Sequence, residues 1–520
     1  MSFVFPDPQE MQKRLQDFVK SFGNPNPMPS ETDKEDRREK FKEKILQFKF
    51  TPKEIKSYLD RFVIKQEEAK KVLTVAVCDH YNQVKEALMG RGPAHYVKQN
   101  ILLVGPSGVG KTYLVRCLAD CIGVPMVKAD ATKFSETGYV GADVEDLIRE
   151  LIQQAEGDTE IAQYGIVYLD EVDKLASSNM IGRDVSGRGV QSNLLKLLEE
   201  TEVPVKAAYD VLGQMQSIFD FQRGLRSFRK TINTRYILFI LSGAFEKLSE
   251  IVQRRIRRSH LGFQPHGPEK VVADLISEAT TSDFVEYGLE PEFIGRLPVR
   301  VFCQSLDAED LFHVLRDSEG SILKQYKSSF AAYGIELKFT EEALRLIAEK
   351  AIEEGTGARG LMTICEKILR PFRFELPGTG IKEVVIDSPT VENPEEKVLK
   401  ILQEMDDAKK NKEKEEIEQF LQEFYKSNEI RIIFQNEAIE ALKQEAQERG
   451  ISVLDLCKEK FKNYALGLKL VKKNNGLSVF TISKEDLLHP DETLNNWIAA
   501  SYKSNLLQST QSDSSSQSNN

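Results

Sequence analysis

The chain has 520 residues, 41% hydrophobic and 29% charged, so most of it can bury a core, and its length suggests three or four domains. Its 71 basic residues are outnumbered by 81 acidic ones, a net charge of −10, which weighs against a surface built as a whole to bind nucleic acid. No apolar run is long enough to span a bilayer, the start MSFVFPDPQE is not a secretory signal, and six scattered cysteines form no CxxC pair, so a four-cysteine zinc module and a disulfide framework are not expected and a reducing, cytoplasmic setting fits best.

Residues 8–22 place Met11, Leu15, Phe18, Val19 and Phe22 at helical spacing, and the proline-rich stretch 24–30 reads as a stiff linker. Residues 31–50 are charge-dense and helical in pattern, either a solvated spacer or a docking helix, so residues 1–50 form an N-terminal helical segment. From 51 to 305, helices alternate with the apolar runs at 100–104, 165–169 and 236–241, which lack polar alternation, as strands covered on both faces do. The fold class is α/β with a parallel sheet, followed at 306–395 by a smaller, mainly helical domain.

Residues 396–426 read as a charged helical linker. Beyond it, the stretch from Ile430 to Ile439 echoes that from Ile335 to Leu344 at an offset of 95, the register holds to Gly450 against Gly355, and after a three-residue gap Cys457 aligns with Cys365. Residues 427–507 are therefore expected to be a degenerate second copy of the small domain, rather than a generic helical tail with chance matches. The Ser/Gln/Asn-rich stretch 508–520 reads as disordered.

Gly105-Pro106-Ser107-Gly108-Val109-Gly110-Lys111-Thr112 fits G-x-x-x-x-G-K-[ST] between an apolar strand and a helix that opens at Tyr113. Glycines bring backbone N–H groups and a helix N-terminus close to phosphate; Lys111 is suited to the β- and γ-phosphates and the Thr112 hydroxyl to Mg²⁺. A second apolar strand ends in Asp170 and Glu171, where one carboxylate positions Mg²⁺ and the other polarises the attacking water. ATP and Mg²⁺ are the expected cofactors, and zinc is not.

With these residues in place, residues 52–392 resemble the AAA+ unfoldases of the ClpX type. The likeness rests on the stretch Phe62 to Lys71, on Gly138-Tyr139-Val140-Gly141, on Arg183 to Gly187, on Pro291 to Pro298 and on Thr356 to Leu361, in the family's order and spacing. The resemblance implies that Val63 and Ile64 pack on adenine, with Lys65 where the family usually has glycine. It implies that Ser242 senses the γ-phosphate, that Arg296 reaches a neighbouring subunit's ATP, and that Arg359 senses nucleotide from the small domain. A trans-acting arginine requires a ring, expected to be a homohexamer. Tyr139 and Val140 would grip substrate in the pore, with Arg188 replacing a usual glutamate in a second pore loop. Leu261-Gly262-Phe263 resembles the tripeptide that docks on the ClpP peptidase, which argues against the HslU branch. The family's basic substrate-tag loop is not readable in 204–230; the basic run from Phe221 to Lys230 is either an altered entrance loop or a solvated one. Residues 1–50 hold no cysteine for the family's zinc module, and the tail copy lacks a counterpart of Arg359.

The expected function is thus an ATP-driven unfoldase that threads unfolded or tagged proteins into a ClpP-type peptidase, with no peptidase chemistry of its own. The alternatives are a free-standing remodelling ATPase, a nucleic-acid motor, and a scaffold with a silent site.

Overall fold

A computed structural model describes residues 31–92, 97–135, 142–176, 185–205, 231–259 and 272–515. They fall into two compact units that part between Glu392 and Asn393.

In the first unit, strands β1 (Ile101–Val104), β2 (Met126–Asp130) and β3 (Ile166–Asp170) precede a short antiparallel hairpin of β4 (Glu202–Pro204) and β5 (Thr231–Asn233); β6 (Leu238–Gly243) and β7 (Val299–Phe302) follow. Strands β2, β3, β6, β1 and β7 lie side by side in that order, all parallel. Alternate residues of the central strands feed two cores. Leu102, Val104, Val167, Leu169, Phe239 and Leu241 face one, while Ile101, Leu103, Ile166, Tyr168, Leu238 and Ile240 face the other. Burial on both faces explains the unbroken apolar runs. Strands β2 and β7 escape those runs because their residues are only partly buried and carry Lys128 and Arg300.

The charge-dense helix Glu31–Leu46 packs on its own unit. Arg38 pairs with Asp158 at 2.5 Å, the Phe41 ring stacks on Tyr164, and Ile45 joins Val84 and Tyr164 in a small buried cluster. This packing sets aside the reading of a solvated spacer.

The small helical region starts with the helices Ala308–Arg316 and Ile322–Ala331. Strands β8 (Glu336–Phe339) and β9 (Glu383–Ile386) then pair in parallel across the helices Glu341–Glu353 and Ala358–Glu375. It meets the sheet domain at several polar points. Arg61 forms a two-bonded fork with Glu319, both bonds 2.7 Å, and Lys65 pairs with Asp310. Within the sheet domain, the Gln66 amide fastens the exit of β7, donating to the Gln304 carbonyl at 2.7 Å and accepting from its N–H at 2.8 Å.

The second unit repeats this parallel strand pair bridged by helices, with three helices where the small region has two. Strands β10 (Arg431–Phe434) and β11 (Val479–Ile482) pair in parallel, with the helices Asn436–Arg449, Val453–Lys460 and Tyr464–Asn475 between them. Ala438, Leu442 and Ala446 are buried at the positions of Ala343, Ile347 and Ala351; Gly450 and Gly355 both end their helices at φ 67°; Cys457 and Cys365 are both buried. The long helix Pro394–Asn428 enters this core through Ile417, Phe420 and Phe424, so its second half is no mere linker. The last helix, Pro490–Ser515, runs into the stretch expected to be disordered, because a helix anchored by Leu494 and Trp497 propagates at little further cost.

Candidate active site

The loop from Gly105 to Gly110 joins β1 to the helix Lys111–Ile122. Gly110 stands at the helix start with φ 95° and offers no side-chain cap, which leaves the first N–H groups of that helix directed at the loop. Such an end attracts phosphate. Lys111 Nζ donates to the carbonyls of Gly105 (2.5 Å) and Pro106 (2.8 Å), and burial pushes its pKa down.

The loop is held against the small region. Gly108 has φ 74°, and a Cβ there would lie 2.0 Å from the Thr356 carbonyl oxygen; the Ala358 N–H donates to the Gly108 carbonyl at 2.9 Å. Arg359 Nη1 donates to Ser107 Oγ at 3.4 Å. Tyr113 reaches the same junction, since a Cβ on Gly320 would collide with its hydroxyl. Burial raises the pKa of Tyr113 to about 12, keeping it a neutral donor. Val63 is buried in the same core as Val109 and Leu114, and Ile64 follows it half-buried in the turn ahead of the helix Glu67–Leu88. Lys65 and Gln66 both take left-handed backbone (φ 59° and 61°), so the position where the family prefers glycine keeps the conformation glycine favours.

At the end of β3, Asp170 is half-buried and accepts from Thr112 Oγ1 at 3.2 Å and from Ser242 Oγ at 2.5 Å. Glu171 is exposed and held at φ 58°, an unfavourable conformation for a residue with a side chain, of the kind that persists where surrounding structure enforces it. Behind them the buried Asp173 accepts the Phe245 N–H at 3.3 Å and pins the exit of β6. Tyr168 Oη lies 2.7 Å from Ser242 Oγ and 3.2 Å from Thr112 Oγ1, and burial pushes its pKa well above the usual phenol value.

The structure thus brings together Ser107, Gly108, Lys111, Thr112, Asp170, Ser242 and Arg359. Arg296 is engaged elsewhere, its guanidinium 2.5 Å from Glu199. Tyr139, Val140, Arg183, Leu261, Gly262, Phe263, the N-terminal stretch 1–30 and the basic run from Phe221 to Lys230 lie outside the described residues. Sequence reasoning missed Tyr168 and Asp173. The one signal for Tyr168 was its place two residues before Asp170, and so on the same face of the strand.

An oxygen-only donor pair of hydroxyl and carboxylate suits a hard cation that keeps most of its water and takes further oxygens from phosphate. Among the described residues no cluster of three or more His, Cys, Asp or Glu side chains is placed to hold a metal, and no helix is long and apolar enough to cross a membrane.

Residues 97–300 match the family model for the AAA domain of the Cdc48 subfamily, and residues 306–376 match that for the C-terminal, D2-small domain of ClpB protein. Among curated proteins, the chain is 42% identical over 352 residues to the ATP-dependent Clp protease ATP-binding subunit ClpX of Borrelia duttonii, covering 66% of this chain and 79% of the relative. It is 40% identical over 362 residues to the same subunit of Treponema denticola, with 68% and 84% covered. Against the ClpX 3 subunit of Methylococcus capsulatus it is 41% identical over 365 residues, with 66% and 80% covered. With a phosphate loop, a strand-end carboxylate pair and a small-domain arginine around one site, and with this likeness spanning both domains, the chain is an ATPase and belongs to the ClpX family of AAA+ proteins.

Proposed function

We propose that the chain is an ATP-driven protein unfoldase, acting as a homohexameric ring that delivers unfolded or tagged proteins to a ClpP-type peptidase. The observation that carries this is the seating of the small region on the phosphate loop, through Ala358 N–H on Gly108 and Arg359 on Ser107. A nucleotide bound there is read by both domains at once, so hydrolysis changes their relative disposition.

Thr112 and Asp170 would hold Mg²⁺, which would supply charge neutralisation to the nucleotide's phosphates. Gly105 to Gly110 and the start of the following helix bind the phosphates; Lys111 places its ammonium beside them; Val63 and Ile64 line the base. Glu171 orients a water and accepts its proton as the oxygen attacks the γ-phosphorus, and the bond from that phosphorus to the β,γ-bridging oxygen breaks, so that ADP leaves with the electron pair. Arg359 reports the phosphate state to the small domain. Arg296, half-exposed and held by a surface carboxylate, is available to a neighbouring subunit once that pair opens. Tyr139 and Val140 then grip the extended chain, and Leu261 and Phe263, spaced by Gly262, dock the peptidase. The second unit is read as a degenerate duplicate of the small domain that does not sense nucleotide, since its helix start at Val453 faces the Glu416 carboxylate (Val453 N–H to Oε2, 2.9 Å).

The test is degradation of a tagged fluorescent protein by this chain with a ClpP-type peptidase and Mg-ATP, beside a Leu261→Ala/Phe263→Ala variant. Loss of fluorescence with the wild type, and ATP turnover without degradation by the variant, supports the reading. ATP turnover by the wild type with no engagement of the peptidase would leave a free-standing remodelling ATPase.

A further inference from the structure

Asp170, Thr112, Ser242 and Tyr168 form a closed ring of four oxygen–oxygen contacts at the end of the strand. Asp170 Oδ2 accepts from Thr112 Oγ1 at 3.2 Å, and Asp170 Oδ1 accepts from Ser242 Oγ at 2.5 Å. Tyr168 Oη closes the ring, 2.7 Å from Ser242 Oγ and 3.2 Å from Thr112 Oγ1. Three hydroxyls bring three hydrogens. Thr112 and Ser242 direct theirs at the carboxylate, which leaves the tyrosine hydrogen for one of the two oxygens it touches, and the shorter separation favours Ser242. Tyr168 and Ser242 are both fully buried, so no water competes for these bonds.

The arrangement has two consequences. The serine hydroxyl is engaged on both sides, by Asp170 and by Tyr168, and is shut away from solvent, so it is not free to meet a phosphate. The threonine hydrogen points at Asp170, which turns the Thr112 lone pairs the other way. We infer that Tyr168 and Ser242 are positioning residues for the metal site: neither touches nucleotide or cation, and together they fix the carboxylate plane of Asp170 and the hydroxyl direction of Thr112. The inference rests on the assignment of Thr112 and Asp170 to Mg²⁺, and it replaces the expectation that Ser242 itself senses the γ-phosphate.

The experiment uses the full chain and the variants Tyr168→Phe, Ser242→Ala, their double, and Ser242→Thr. Binding of a fluorescent ATP analogue is measured in EDTA and then across a Mg²⁺ titration, with melting temperatures in EDTA to confirm folding. Metal-free affinity should stay within about two-fold of wild type, because the phosphate loop is untouched. The Mg²⁺ concentration for half-maximal tightening should rise about ten-fold in each single variant, the scale of one lost hydrogen bond in a charged network. The double should lie within about three-fold of the worse single, since both break one ring. Ser242→Thr, which keeps the hydroxyl, should restore the wild-type metal requirement. An unchanged Mg²⁺ requirement in both singles overturns the inference, as does a fall in metal-free affinity as large as the metal-dependent one. A wild type that binds no nucleotide in either condition overturns the nucleotide-site reading itself, and the inference with it.

Discussion

Gly357→Ala is a decisive perturbation of the joint between the phosphate loop and the small domain. Gly357 stands before the helix Ala358–Glu375 at φ 60°, ψ −141°, a region that residues with a side chain enter at a cost of about 1–3 kcal/mol. An added Cβ would lie 2.9 Å from the Gly108 carbonyl oxygen and 3.1 Å from that of Ser107, so the helix start must also retreat by a few tenths of an ångström. That shift lengthens the bond from Ala358 N–H to Gly108, a bond of about 1 kcal/mol, and draws Arg359 off Ser107. Together these amount to about 2 kcal/mol at the nucleotide joint, or roughly thirty-fold in affinity. Gly355→Ala is the matched control: φ is 67°, but nothing lies within 4 Å of its added Cβ. It should lower stability by about 1 kcal/mol and leave affinity within about two-fold. Fluorescent-nucleotide titration and urea unfolding of both variants make the comparison. Equal affinity losses in the two, or none in Gly357→Ala, would refute the claim that this joint grips the nucleotide.

Glu171→Gln should keep nucleotide affinity and slow turnover by about a hundred-fold or more, checked by binding and phosphate release in parallel. At Lys65, alanine should cost up to about 1 kcal/mol by removing the pair with Asp310, whereas glycine should recover about that much by relieving the left-handed backbone, which melts of the two variants will separate. Burial holds the His80 imidazole neutral, with its pKa pushed down to about 3, while the unfolded chain protonates near 6.5. The unfolded state therefore binds the extra proton, so stability should fall as pH drops from about 6.5 towards about 3, by at most about 1.4 kcal/mol per unit; His80→Gln should flatten that part of the wild-type profile in urea titrations.

The glycine-rich loop between β1 and its helix and the strand-end acidic pair were legible because each leaves a local pattern: glycines where a tight loop joins strand to helix, and a carboxylate where a buried strand surfaces. The three central strands were legible for a related reason, since burial on two faces leaves no polar alternation. Strands β2 and β7 were not, because partial exposure mixes Lys128 and Arg300 into them. Tyr168 was hidden by its company: in a run of buried apolar residues a tyrosine reads as volume, and only the fold places its hydroxyl between Thr112 and Ser242. The second half of the helix Pro394–Asn428 was masked in the same way, with Ile417, Phe420 and Phe424 spread thinly through a charged sequence. The helix Glu31–Leu46 owes its place to ion pairs such as Arg38 with Asp158, 120 residues apart, which no local pattern announces.

The carboxylate of Glu416 sits where the second unit's helix begins, taking N–H bonds from Val453 at 2.9 Å and Leu454 at 3.4 Å. In the first unit the comparable helix start is joined to the phosphate loop. Mass action then treats the two units differently. Ligand that binds only the folded first unit adds about 2.7 kcal/mol to it at a hundredfold excess over its dissociation constant, while a helix end closed by the chain's own carboxylate gains nothing. Calorimetry across rising ATP should show one transition climbing in temperature and the other standing still, so the second unit serves as a built-in thermal reference for occupancy of the first.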